Sequence, residues 1–145
     1  EVNQHILVNV LAIEYPGYGL YKGTPNEATI LEDSEQVYDY LVTFLKINPK
    51  DIILFGRSIG SGPATHLASK RDVGALILMS GFTSIKSVVR DIAGSWAQYL
   101  IKERFNNLEA ISKVEAPVFL IHGQRDRLIS YQHSEKLHGN CLLQY

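Results

Sequence analysis

The chain has 145 residues, 46% of them apolar, with 14 basic side chains against 15 acidic ones. That is enough for one domain with its own core, and the nearly cancelled charge, with no basic stripe or like-charge block, argues against nucleic acid as a partner. The single cysteine, Cys141, excludes a disulfide framework within the chain, as expected in a reducing compartment; no Cys/His spacing suggests zinc, and neither a metal nor a cofactor is expected.

The first apolar run, Ile6 to Ile13, is broken by Asn9, is too short to span a bilayer, and reads as a strand. Thr24-Pro25-Asn26-Glu27 carries helix-start signals: Thr24 as cap, Pro25 at the first position, Glu27 three residues after the cap. Ile30, Ser34, Val37, Leu41, Phe44 and Leu45 then recur at helical spacing opposite Glu32, Asp33, Glu35 and Asp39, and Asn48-Pro49 ends the helix. Ile52 to Phe55 reads as a second strand, followed by a helix from about Ile59 to Lys70. Ala75 to Met79 reads as a third strand, Ser84 to Phe105 as two short helices, Val118 to Ile121 as a fourth strand, and a last helix is predicted near Ser130.

None of the strand runs alternates cleanly, which predicts strands covered on both faces, as in a parallel sheet. The strand–helix alternation predicts an α/β fold with right-handed crossovers and a single domain over 1–145. The chain starts at Glu1 without Met, and Cys141-Leu142-Leu143-Gln144-Tyr145 reads like the start of a further strand, so an incomplete domain is expected. Neither end reads as a signal or targeting segment, and an intracellular setting is expected.

Gly56-Arg57-Ser58-Ile59-Gly60 lies between the second strand and the helix after it. A small-x-Ser-x-small sequence in that context is what a nucleophile elbow requires: a tight turn, flanked by Gly56 and Gly60, that lifts the Ser58 hydroxyl clear of the sheet. The following helix turns its unpaired amides, Ile59 N–H first, toward an oxyanion formed there. A serine needs a base, and the base needs an orienting acid. Asp126 follows the last strand after His122-Gly123 and falls on the same rim as Ser58, which makes it the best candidate for the acid, the other reading being a turn aspartate bonded to its own backbone; Asp51 and Asp72 precede strands and belong to the opposite rim. Among the histidines, His5 is on the wrong rim, His66 lies within the helix after the elbow, and His122 ends a strand. His133 and His138 fall in the helix after Asp126, His133 being the candidate base nearer the rim, although a base of this kind ordinarily follows one further strand. Tyr15, Tyr18 and Tyr21 read either as walls of an acyl pocket or as a packed Pro-Gly turn. Phe82 and the stretch from Trp96 to Phe105 read as pocket or lid residues, or as sheet cover.

These motifs together resemble an α/β-hydrolase family: serine hydrolases related to the membrane-associated protein depalmitoylases and, more loosely, S33-type peptidases. The resemblance rests on Glu14-Tyr15-Pro16-Gly17-Tyr18-Gly19 with Gly23 and Pro25, Gly56 through Pro63, Ser80-Gly81-Phe82-Thr83-Ser84, and Pro117 through His122-Gly123 to Asp126. It implies an α/β-hydrolase fold, a mostly parallel sheet with helices on both faces, here without its first strands and its last strand and helix. It implies Ser58 as nucleophile, Asp126 as acid, and hydrolysis of an ester, thioester or amide of an acylated small molecule, lipid or protein. It also implies that a His-Gly oxyanion segment lies before Glu1 and that the catalytic histidine lies beyond Tyr145, His133 matching a family histidine that is not the base. Arg57 and Ser130 depart from the Gln and Asp usual in the depalmitoylases, and the cysteine-rich membrane anchor is not in the chain. The alternative is a protein that keeps the fold for binding without catalysis.

Overall fold

A computed structural model describes residues 8–143. Its centre is a three-stranded parallel sheet of β1 (Ile53–Arg57), β2 (Ala75–Met79) and β3 (Val118–Ile121), in that order. Leu54, Leu76 and Val118 share one register line, and Gly56, Leu78 and Leu120 share another, so these residues lie on one face. That face carries the core. Leu76 and Leu78 pack with Tyr38 of α1 (Glu27–Asp39), Leu67 of α2 (Ser61–Ala68), Ile111 of α4 (Asn107–Ile111) and Leu137 of α5 (Gln132–Gly139). α3 (Ile85–Ala93) starts at the Ser84 cap, whose hydroxyl accepts the Ser87 amide.

On the opposite face Ile53, Phe55, Phe119 and Ile121 are exposed. The expected two-sided cover is therefore supplied on one side by the described residues.

The first predicted strand does not form among the described residues. Ile6 and Leu7 lie outside the described residues, and Val8 to Ile13 pairs with no strand, leaving Val8, Val10 and Leu11 exposed. An isolated extended segment has no ladder partner for its amides. Leu11 to Glu14 instead faces Val37 and Tyr40 across an open groove.

The first helix also starts later than predicted. Its cap is Asn26, whose Oδ1 accepts the Thr29 amide at 2.9 Å. Glu27 does not reach back to a cap; its carboxylate accepts the Phe105 amide at 2.5 Å. A tertiary bond has displaced a local capping box. Past Asp39 the helix widens into a π-helical turn, Tyr40–Phe44, before the stop predicted at Asn48-Pro49. The helix α4 is not among the predicted elements.

Glu35 ties α1 to α2. Its carboxylate meets His66 Nε2 at 2.9 Å and Arg71 at 3.0 Å, and it is held below the usual carboxylate range by the His66 bond first and by Lys70 and Arg71 after it. His66 is thus a surface tie between helices.

Leu76 is fully buried in the central strand. Leu76→Ala should cost about 2–5 kcal/mol of stability, read as a lower urea midpoint with an unchanged slope.

Candidate active site

Arg57, Met79 and Ile121 stand in register across the sheet. The next residues, Ser58, Ser80 and His122, therefore line its carboxyl edge, where ligands bind in open α/β sheets. β1 and β3 are separated by one strand, which puts their ends about 10 Å apart. That spacing accommodates an imidazole between a serine on one and a carboxylate beyond the other.

Ser58 has φ +50°, in the left-handed region that costs a residue with a Cβ of order 1 kcal/mol or more. The turn that imposes it depends on Gly56. A Cβ there would meet the Gly60 carbonyl oxygen at 2.6 Å, Ser61 Cα at 2.8 Å and Ala64 Cβ at 2.9 Å. Gly60 is different: its φ is −64°, and a Cβ would meet only Tyr15 Oη at 3.6 Å. The expectation that both glycines are sterically required therefore holds for Gly56 alone.

Ser58–Gly60 forms a 3-10 turn leading into α2, so the Ile59 amide lies among donors that have no intrahelical acceptor. Beneath the elbow, Asn107 Nδ2 donates to Ser61 Oγ at 3.2 Å and to the Phe82 carbonyl at 2.9 Å, all buried. This strut holds the start of α2 to the loop after β2. It went unpredicted; the Asn106-Asn107 pair ahead of Leu108 was the available helix-start signal.

Asp126 sits in the loop after β3. Its Oδ1 accepts the amides of Ile129 at 3.0 Å and Leu128 at 2.9 Å. These two bonds hold the carboxyl below the usual range against some desolvation, with Ser80 and His122 adding to the effect. Asp126 is thus an ionised carboxylate in a fixed pose.

His133 is 2% exposed. Its Nδ1 accepts the Thr83 amide at 3.2 Å and lies 3.0 Å from Thr83 Oγ1, while Nε2 stands 3.2 Å from Asp91 Oδ2 without hydrogen-bond geometry. Since an amide can only donate, Nδ1 carries a lone pair and Nε2 the proton. Burial lowers the His133 pKa, partly opposed by Asp91 and reinforced by Lys136, Arg90 and His122. The ring is committed to the loop after β2, and among the described residues Ser58 Oγ has no histidine partner.

Tyr15 is half-buried beside Gly60 and meets Tyr18 edge-on at 6.5 Å; burial raises its pKa. Tyr18 is exposed, whereas Phe82 is a core residue packed with Ile30, Phe105 and Ile129. Two concavities among the described residues, one against α2 and α4 and one against α1, are lined by residues other than Ser58, Tyr15, Tyr18 and Phe82. Phe105 covers Gly62, where a Cβ would lie 2.4 Å from its ring, while Trp96, Tyr99 and Leu100 are exposed. Among the described residues no His/Cys/Asp/Glu group could hold a metal, and no helix is long and apolar enough to cross a membrane.

No family model matches the chain. It is 33% identical over 133 residues to α/β-hydrolase domain-containing protein 17C of Xenopus tropicalis, covering 92% of this chain and 42% of that protein. It is 33% identical over 140 residues to the human protein 17B, covering 97% of this chain and 48% of that one. The chain thus spans less than half the length of these curated relatives. Among solved structures, the esterase domain of a Rhodothermus marinus protein superposes with a TM-score of 0.58 at 15% identity, over 77% of this chain and 52% of that one. A puromycin-hydrolyzing peptidase of Mycobacterium tuberculosis gives 0.60 at 19% identity, over 75% of this chain and 19% of that one.

Gly56→Ala should destabilise the chain by about 3 kcal/mol, whereas Gly60→Ala should be neutral or stabilising by about 0.5 kcal/mol; paired denaturation curves check the contrast. For His133, a lowered folded pKa means that the unfolded chain takes up the proton first. Its contribution is full above the unfolded value of about 6.5 and is lost as pH falls through the lowered folded value. The drop in denaturation midpoint between pH 7.5 and 5.5 should therefore be smaller in His133→Gln than in the parent.

Proposed function

We propose that this chain, which has the α/β-hydrolase fold and is related to the α/β-hydrolase domain-containing 17 proteins, carries the nucleophile and the acid of a serine hydrolase. One observation carries the reading: a serine held at φ +50° where β1 turns into α2, on the same rim as an ionised, amide-anchored Asp126. A strained non-glycine residue at a strand–helix junction is maintained by its surroundings, and such strain is typical of sites where a side chain must be presented.

In this reading Ser58 Oγ attacks the acyl carbonyl and gives its proton to a histidine base oriented by Asp126. The carbonyl electrons move onto oxygen, which the Ile59 amide stabilises as one donor. Collapse expels the alcohol or thiol, which takes the proton from the base, and leaves Ser58 acylated. Water, deprotonated by the same base, then releases the acid and regenerates the serine. The base and the second oxyanion donor are assigned to parts of the protein other than residues 8–143. The commitment of His133 to Thr83 favours this over His133 as base.

The substrate class we assign is an acyl ester or thioester, with acylated protein the choice suggested by the depalmitoylase resemblance. A serine peptidase of S33 type is the nearest alternative, since esterases and peptidases share this fold. That the Ser58 hydroxyl has no histidine partner among the described residues favours a second reading, a non-catalytic binding protein.

One experiment decides between catalysis and binding. In the full-length protein, a fluorophosphonate probe should label one serine, and Ser58→Ala should remove both labelling and ester turnover, the latter by more than about 1,000-fold. A folded full-length protein that takes no label would support the binding reading.

A further inference from the structure

The loop that carries Asp126 is closed by a histidine that the mechanism above does not use. His122, with 5% of its side chain exposed, stands at the end of β3. Its Nε2 lies 2.8 Å from the Ile129 carbonyl and its Nδ1 2.6 Å from Ser134 Oγ on α5. A carbonyl can only accept, so Nε2 carries the proton, and in the neutral ring the Ser134 hydroxyl donates to Nδ1. Asp126 Oδ2 is 3.7 Å from Nε2, outside hydrogen-bond range but close enough for attraction. Ile129 therefore receives opposite demands: its carbonyl is held by His122 and its amide is given to Asp126.

We propose that His122 is a positioning residue for the Asp126 carboxylate. By pinning the Ile129 carbonyl it fixes the direction of the 126–129 turn whose amides orient Oδ1, and Ser134 fixes the tautomer that allows it to do so. The proposal rests on the assignment of Asp126 as the acid. α5 thereby anchors both loops of the rim with consecutive residues: His133 takes the Thr83 amide after β2, and Ser134 takes His122 at the end of β3.

The test uses the full-length protein and p-nitrophenyl butyrate, with turnover expressed per fluorophosphonate-labelled site and hydrogen exchange followed at the Leu128 and Ile129 amides. His122→Leu should lower kcat about 100-fold with KM unchanged, and should speed exchange at both amides about tenfold. His122→Gln, whose side-chain amide still donates to the Ile129 carbonyl, should recover most of both. A general loss of packing would not be rescued this way. Parental kcat per labelled site, or parental exchange, in His122→Leu overturns the proposal. If that variant does not fold, Ser134→Ala decides in its place: faster exchange at both amides supports the proposal, and parental exchange overturns it. Turnover that survives Ser58→Ala would end the hydrolase reading of Ser58 while leaving the exchange result to judge His122 by itself.

Discussion

The site depends on how closely α2 approaches the end of β1. Only a residue without a Cβ at position 56 lets the Gly60 carbonyl and Ser61 come so near, and only that approach forces Ser58 into the left-handed region. The strain at Ser58 is maintained because its neighbours on both sides are fixed. Before it lies a strand paired to β2; after it lies a helix tied by Asn107 to the Phe82 carbonyl. Ser61, Thr65 and Leu67 of that helix are all buried, so α2 cannot shift outward to relax the turn without emptying the core. The geometry of one serine is thus set by contacts spread over four elements.

The Asp126 carboxylate is arranged by a different principle. Asp126 is partly exposed, so burial does little to it; two backbone amides fix its pose and favour its charged form. His133 is the opposite case, a buried ring whose pKa is lowered by desolvation and whose Nδ1 accepts the Thr83 amide. Two ionisable side chains a few residues apart are pushed toward opposite protonation behaviour, one to stay charged and one to stay neutral.

How much of this was legible in the sequence depended on whether the determinant was local. β2 and β3 matched their predicted bounds because short β-branched and leucine runs flanked by turns report strands directly. The turn between β1 and α2 was legible because the glycine that shapes it and the serine it strains lie within five consecutive residues. The first helix began at Asn26 rather than Thr24 because Glu27 had a better partner in Phe105, 78 residues away in the chain, which no local pattern encodes. Val8 to Ile13 failed as a strand for a related reason: apolar composition states a capacity to pair, and pairing needs a neighbour. Asn107 and Ser134 are ordinary residues made significant by placement, and His122, visible in the sequence as part of the His122-Gly123 motif, shows its contacts only in the fold.

The exposed face of the sheet sharpens the meaning of the elbow. Phe55 and Phe119 lie across Ile77 in one register line, with about three-fifths of each residue open to solvent, and Ile53 and Ile121 continue the surface. Burial of each such side chain is worth about 1.5–3 kcal/mol, a stabilisation this face does not contribute within residues 8–143. The covered face must then hold the sheet by itself, through Leu76, Leu78 and the helices that pack on them. Gly56 belongs to that covered face, in register with Leu78 and Leu120. The packing that stabilises the described residues is therefore the same packing that strains Ser58, so the presentation of the serine does not need the other face to be filled.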